Sequence, residues 1–298
     1  MKNTKKKKKV FDNKALTSIL SDSSLKEHSN IRIGDKASYL FTPQSVSDLA
    51  LIINDTKKAG LDFLPVGGGS NILFGYVGDR VVILDRDLPK ICEVNNNRVV
   101  VSSNHDINSF LSEMIKYELG GLEFLAGIPA HLGGTVNMNA GAFGKNISDY
   151  LDWVEIINPE GKEEIIRKEA LKFDYRHSSI DGFITKIAFN LEEKTRETIS
   201  SEIQSILAER RKRHPYDFPS LGSTFKNPPG YFAGKLVEEC GLKGSRIGDA
   251  EISEKHGNFI LNKGNATFED VMGLIDLVRK EVYERKGIQL ELEIKVIN

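Results

Sequence analysis

Four short stretches of this 298-residue chain carry groups suited to chemistry. The first, Gly120 to Gly144, reads GGLEFLAGIPAHLGGTVNMNAGAFG, with seven glycines and one charge, Glu123. Glycine lacks Cβ, so backbone can approach a ligand or take positive φ. Ordinary glycine-rich loops mix in Ser, Asp, Lys and Pro, whereas this one mixes in Leu, Phe, Ile, Val, Met and Ala. That composition points to backbone packed around something flat and large; a close-packed junction without a ligand is the alternative. The second stretch, Leu64–Phe74, reads LPVGGGSNILF, an apolar run broken by Gly67-Gly68-Gly69-Ser70-Asn71. Successive N–H groups in such a turn form a concave anion site, and Ser70 and Asn71 add side-chain donors. It matches neither G-x-G-x-x-G before an amphipathic helix nor a phosphate loop ending in Gly-Lys-Ser/Thr. Two apolar-flanked glycine clusters in one chain point to a long cofactor containing a diphosphate.

The third stretch is Tyr175-Arg176-His177-Ser178. Arginine presents a planar fork matched to a carboxylate, although an arginine in a solvated loop needs no such partner. The fourth, Gly222-Ser223-Thr224-Phe225-Lys226-Asn227-Pro228, places a serine in a loop, near in sequence to Lys226 and Arg213. Serine is a poor acid unless neighbours lower its pKa or relay its proton, and a loop serine commonly just bonds backbone. Near the C-terminus Leu290, Leu292, Ile294 and Val296 alternate with Glu291, Glu293 and Lys295. This is the pattern of a half-buried strand with one polar face. His131 and His177 read as local hydrogen-bonders, and no Cys or carboxylate stands at metal-ligand spacing beside them, so no metal is expected.

The elements that position these stretches are legible from periodicity. Ile31 and Ile33 alternate as in a strand. Thr42–Gly60 predicts a helix, with Val46, Leu49, Ile52 and Ile53 on one face and Gly60 as its stop. Strands are predicted at Phe63–Val66, feeding the GGGSN turn, and at Val81–Leu84. A hairpin follows over Ile91–Ser102 around Asn95-Asn96-Asn97, then a helix over Ile107–Leu119. Trp153–Ile157 and Glu163–Ile166 flank the turn Asn158-Pro159-Glu160-Gly161, and Phe183–Leu191 is a further strand. Glu192–His214 predicts a charged linking helix with Ile203, Ile206 and Leu207 as its stripe. Beyond it come a helix over Ala233–Cys240, a strand at Phe259–Asn262, and a helix over Thr267–Lys286 that opens on a Thr267/Asp270 capping box. A strand over Leu290–Ile297 closes the chain. Strands and helices without regular alternation read as α+β. The expected organisation is a basic tail over 1–19, a first domain over 20–195 with lobes of about 20–85 and 86–195, and a second domain over 196–298.

Hydrophobic residues make up 40% of the chain, charged residues 28%, and the net charge is -1. That describes a globular protein, and no segment approaches the ~20 apolar residues of a membrane helix. Lys2 and Lys5 to Lys9 read as a solvated tail, with no basic surface continuing it, so no nucleic-acid partner and no membrane insertion are expected. No apolar run follows that tail as in a signal peptide. Cys92 and Cys240 form no disulfide framework and fit a reducing cytoplasm.

LPVGGGSN, GLEFLAGIPAHLGGTVNMNAGAFG, YRHS, GSTFKNP, AGKLVEECGLKG and HGNFILN occur in this order. Together they resemble the UDP-N-acetylenolpyruvoylglucosamine reductase family, from about Ile31 to the C-terminus. Little chain separates YRHS from the strand ending at Leu191, as in the subclass without an inserted tyrosine loop. The resemblance implies an α+β fold: a two-lobed FAD-binding domain of the vanillyl-alcohol-oxidase (PCMH) type and a smaller α+β substrate-binding domain. It implies FAD as cofactor, NADPH as hydride donor, and a UDP-sugar substrate, in a cytoplasmic monomer of peptidoglycan precursor synthesis. FAD contacts are implied for Gly67, Gly68, Gly69, Ser70 and Asn71, for Gly127, Ile128, Gly133 and Gly134, and for Asn139, Ala140, Gly141 and Ile184. Arg176 is implied as the stabiliser of an enolate, Ser223 as proton donor and Glu293 as third catalytic residue. Tyr175, Arg213, Lys226, Asn227 and Lys295 are implied at the substrate. This chain departs from the family pattern at Asp35, where a second glycine is usual, at Leu292, where proline is common, and at Lys295, where arginine is.

Overall fold

The structure, a computed structural model, describes residues 19–20 and 23–298. The lysine run Lys2 and Lys5 to Lys9 lies outside the described residues. The chain forms two compact units. One comprises the described residues to Ser23, with 37–68 and 79–207, and the other 24–36, 69–78 and 208–298. The division between the units falls at Leu207 and Ala208, inside the helix Arg196–Arg213. Residues 24–36 and 69–78 fold with the C-terminal unit because Ile31, Ile33 and Leu73 are buried in its core.

In the first unit, strand Val81–Leu84 lies between Tyr39–Phe41 and Phe63–Val66, parallel to both. All four of its residues are buried, as a central parallel strand requires. Pro65 sits on the flanking strand, where a missing N–H donor is tolerated. The helix Val46–Lys58 buries Leu49, Ile52 and Ile53, and the Ser45 side chain caps it by accepting from Asp48 N. A five-stranded antiparallel sheet forms the other lobe: Glu163–Arg167, Leu151–Ile157, Phe183–Asn190, Arg98–Ser102, Cys92–Asn95. Both expected hairpins are present. The helix Ile107–Tyr117 packs Phe110 against Phe189, ring centroids 6.1 Å apart. It ends on Glu118 in the left-handed region, φ 58°, without the usual glycine. Glu192–Glu193 pairs with Leu119–Gly120, so the charged helix begins only at Arg196.

The second unit holds a four-stranded antiparallel sheet in the order Ser220–Ser223, Phe259–Asn262, Ala250–Ile252, Arg246–Ile247. Helices Ala233–Glu239 and Phe268–Lys286 pack on its core. Thr267 and Asp270 form both halves of the capping box, and Gly287 ends the helix at φ 68°. Two expectations are corrected. Ile31 and Ile33 are buried but not in a strand: Arg32 is left-handed at φ 58° and its N–H donates to Ser29 O, so the chain turns there. Of Leu290–Ile297 only Lys295–Ile297 is regular strand, parallel to Ile72–Phe74. The alternation survives, since Leu290 and Ile294 are buried and Leu292 and Val296 partly so.

Candidate active site

In the first unit, the strands Phe63–Val66 and Val81–Leu84 run in register, Val66 beside Leu84. The residues that follow them, Gly67 and Asp85, therefore emerge together. His131 Nδ1 lies 2.8 Å from Asp85 Oδ1 and donates to it. A Cβ on Gly67 would come 3.3 Å from Asp85 Oδ2 and 3.4 Å from His131 Cβ; one on Gly68 would come 3.3 Å from His131 N. These are tight contacts, and a side chain at either position needs Asp85 or His131 to give slightly. Gly133 is more constrained, since its added Cβ would stand 2.7 Å from Ser103 Cβ and something would have to shift. Gly134 differs: its Cβ would meet nothing within 4 Å. A glycine inside the helix Leu132–Asn137 costs about 1 kcal/mol against alanine, yet protein packing does not demand one at this position. Near Gly133, Ser103 Oγ and Asn104 Oδ1 are buried with no hydrogen-bond partner among the described residues.

Asn139 and Gly141, near the end of the central stretch, are bonded to the YRHS hairpin. Phe173–Asp174 pairs with His177–Ser178, which leaves Tyr175 and Arg176 as the two-residue tip. Arg176 is left-handed at φ 57°. Its Nη2 donates to Gly141 O at 3.0 Å, and its guanidinium lies 4.7 Å from the centre of the half-exposed Tyr175 ring. Asn139 Nδ2 donates to Asp174 O at 3.1 Å, while its Oδ1 accepts Ser148 N–H at 3.4 Å. Asn139 thus spends both ends of its carboxamide within the protein. Gly127 takes φ 82° and donates its N–H to Asn108 Oδ1 at 2.8 Å. Ile128 and Ala140 are partly buried against the core, and Ile184 is buried.

The GGGSN run is divided between the units, Gly67 and Gly68 in the first, Gly69 to Asn71 in the second. Gly69 takes φ 65°, and a Cβ on it would overlap His28 O. Asn71 Nδ2 donates to Glu293 O at 3.1 Å, and Asn71 O accepts Lys295 N–H at 2.9 Å. On the other side of the same segment, Glu293 N–H donates to Thr224 O at 2.9 Å, and Lys226 N–H to Glu291 O at 2.9 Å. The peptide of Glu293 is therefore fixed to the residue after Ser223. Lys226 Nζ also lies 3.4 Å from Glu291 Oε2.

Asn227 Oδ1 accepts Ala233 N–H at 3.0 Å and so caps the helix Ala233–Glu239, whose own N-cap, Phe232, supplies no side-chain bond. Arg213 is 70% exposed and pairs with Glu209 at 2.9 Å, one turn back on its helix. Lys295 is exposed as a whole residue, and desolvation lowers the pKa of its ammonium group. Behind the Ser223 strand, His214 and His256 stack edge to face, ring centroids 5.6 Å apart, both against Phe259. Burial, with the positive charges of Arg210, Arg213 and Lys255 and the neighbouring His256, pushes His214 down to about 4. Among the described residues no three His, Cys, Asp or Glu side chains gather as a metal site.

Sequence reasoning missed Asp85, Ser103 and Asn258. Asp85 carried a faint signal, an acid directly after a predicted strand. Asn258 lies within the quoted HGNFILN motif, but its partners are 33 residues away and no local spacing points to them.

Comparison with known proteins matches residues 37–166 to the FAD binding domain family. Residues 214–297 match the C-terminal domain of UDP-N-acetylenolpyruvoylglucosamine reductase. The reductase of that name from Geobacillus kaustophilus is 37% identical over 283 residues, covering 94% of this chain and 93% of the relative. That from Caldanaerobacter subterraneus is 36% identical over 276 residues, covering 92% and 91%. The crystal structure of the UDP-N-acetylenolpyruvylglucosamine reductase of Thermus caldophilus superposes with TM-score 0.79 at 32% identity, over 94% of this chain and all of that one. A berberine bridge enzyme variant, at TM-score 0.50 and 12% identity over 64% of this chain, shares the fold alone.

Fold and relatives define an FAD-dependent oxidoreductase whose cofactor domain is of the PCMH type. Within that class, the chain belongs to the UDP-N-acetylenolpyruvoylglucosamine reductase family. The residues of the first unit fit the cofactor. Gly134 leaves open space where the protein does not need it, and Ser103, next to Gly133, and Asn104 carry buried oxygens with no hydrogen-bond partner among the described residues.

Proposed function

We propose that this chain reduces UDP-N-acetylglucosamine enolpyruvate to UDP-N-acetylmuramate at the expense of NADPH, as a cytoplasmic step of peptidoglycan precursor synthesis. The π bond of the enolpyruvyl group is broken and two C–H bonds form, one from a hydride and one from a proton, while NADPH is oxidised to NADP⁺. FAD would supply hydride-transfer chemistry between NADPH and the substrate, and would be held by Gly67 to Asn71, Gly127, Ile128, Gly133, Gly134, Asn139, Ala140, Gly141 and Ile184.

The protein's own groups handle charge and proton. As the hydride arrives, negative charge passes into the substrate carboxylate. The Arg176 guanidinium is aimed by its bond to Gly141 O and stabilises that charge, a pre-set donor needing no reorganisation. Ser223 delivers the proton to the carbon alpha to the carboxylate, and Glu293 completes the acid pair. Tyr175, Lys226, Asn227, Arg213 and Lys295 bind the UDP-sugar. The observation that carries the assignment of Ser223 with Glu293 is the hydrogen bond from Glu293 N–H to Thr224 O. It joins the Glu293 peptide to the residue after Ser223, which supports reading the two residues as parts of one site.

The test is anaerobic. NADPH should bleach the flavin of the purified protein, and the enolpyruvyl substrate should then restore the yellow oxidised spectrum with formation of UDP-N-acetylmuramate. Bleaching without reoxidation by that substrate would mean a different acceptor.

A further inference from the structure

Asn258 is buried, 3% exposed, and makes an unusual set of contacts. Its Oδ1 accepts Phe225 N–H at 2.9 Å, and its Nδ2 donates to Phe225 O at 2.8 Å. Its own carbonyl accepts Thr224 N–H at 2.8 Å. The carboxamide therefore bonds both polar groups of one residue, as a neighbouring strand would. The ladder needs this help. Ser223 is in register with Phe259, but the pairing slips between Ser220 and Ser223, where Gly222 takes φ 76°. Past Ser223 no regular strand continues. Thr224 and Phe225 are instead gripped on one side by Asn258 and on the other by the C-terminal segment. Glu293 N–H reaches Thr224 O, and Phe225 bridges to Leu292. Thr224 and Phe225 are both buried, so these bonds have no water to replace them.

We propose that Asn258 is the positioning residue that sets Ser223 against Glu293 for proton delivery. This rests on the reading of Ser223 as proton donor. Asn258 does not touch the reacting atoms; its carboxamide fixes the two peptides through which the serine-bearing strand and Glu293 are joined. The task requires a donor and an acceptor side by side at this short reach, which the Asn carboxamide supplies at every pH.

A carboxylic acid reproduces that pair only when protonated, which makes Asn258→Asp diagnostic. At high pH its carboxylate faces Phe225 O without a donor. As pH falls and the carboxyl takes up a proton, both bonds return. Burial and the facing carbonyl raise the carboxyl's pKa into an accessible range. Asn258→Ala restores nothing at any pH. Both variants retain His256, whose Nδ1 accepts Asn258 N–H at 3.2 Å, so any titration of that neighbour is common to the two.

The experiment uses stopped-flow absorbance on the FAD-loaded full chain, following reduction by NADPH and reoxidation by the enolpyruvyl substrate. Wild type, Asn258→Asp, Asn258→Ala and Ser223→Ala are compared from about pH 8 to about pH 6. Reduction should stay within about twofold of wild type in both Asn258 variants. Reoxidation at the upper pH should slow by roughly 10²-fold, the cost of a misplacement near 1 Å, with a larger solvent deuterium isotope effect. The Asn258→Asp to wild-type ratio for reoxidation should climb as pH falls, and the Asn258→Ala ratio should stay flat. A flat ratio for Asn258→Asp, or equal slowing of both half-reactions, would overturn the positioning role. If Ser223→Ala reoxidises at the wild-type rate, the reading of Ser223 itself fails, whatever the Asn258 variants do. Should Asn258→Ala not fold, the pH dependence of Asn258→Asp decides alone.

Discussion

Asn71 Nδ2 donates to the main-chain carbonyl of Glu293 across 222 residues of sequence, at 3.1 Å, and Asn71 O accepts Lys295 N–H. The last residue of the GGGSN turn is thus a clamp on the segment that carries the acidic residue. Replacing it by alanine leaves Glu293 O without that donor. Asn71→Ala should lower stability by about 1 kcal/mol, read as a lower urea midpoint with unchanged slope. An unchanged midpoint would mean that the bond adds nothing to stability.

Gly133 and Gly134 are neighbours with opposite expected behaviour. Gly133→Ala drives a methyl against Ser103 and should destabilise the protein itself. Gly134→Ala meets open space and gains helix propensity, so the FAD-free protein should be as stable as wild type or more so, by up to about 1 kcal/mol. Its FAD affinity should nevertheless fall, measured by flavin fluorescence titration of the apoprotein. Full FAD affinity in Gly134→Ala or Gly134→Val would remove the helix Leu132–Asn137 from the cofactor site.

This contrast shows what was legible in the sequence. Helical periodicity identified Leu49, Ile52, Ile53 and the Thr267/Asp270 cap, because those signals lie within a turn or two of chain. The glycine clusters were visible as composition, but not which glycine is hemmed in by protein and which faces open space. That depends on Ser103 and His131, brought in by tertiary packing. The division of GGGSN after Gly68 was hidden for a similar reason. It follows from the parallel pairing of Ile72–Phe74 with Lys295–Ile297, a contact between segments far apart in sequence. Asn258 stood within HGNFILN, but its partner Phe225 lies 33 residues away and no local pattern points to it.

Stability should depend on pH through His214. Its folded pKa, about 4, lies below the ordinary 6.5 because burial and nearby positive charge disfavour the imidazolium. His256 is lowered in the same direction, mainly by burial. The unfolded chain therefore binds protons more readily than the folded one below pH 6.5. Stability is fully present above that value and is lost as pH falls toward about 4. Urea midpoints across this window should drop in wild type and drop less in His214→Gln. Equal pH dependence in the two would assign the loss to other groups.

Arg176→Ala should retain FAD and its reduction by NADPH while slowing reoxidation by substrate ~10²–10³-fold. Arg176→Lys should recover part of the rate as a point charge without the fork. Loss of flavin from Arg176→Ala with the chemistry intact in the remaining holoenzyme would move this residue from the substrate to the cofactor.

The most direct test of proton delivery by Ser223 is the rate of each half-reaction in Ser223→Ala. Hydride transfer from NADPH needs no proton from this serine, so flavin bleaching should proceed at nearly the wild-type rate. Reoxidation by the enolpyruvyl substrate should slow by roughly 10²–10⁴-fold, the worth of a positioned acid, and Ser223→Cys should restore part of it. An unchanged rate of reoxidation in Ser223→Ala would contradict the account.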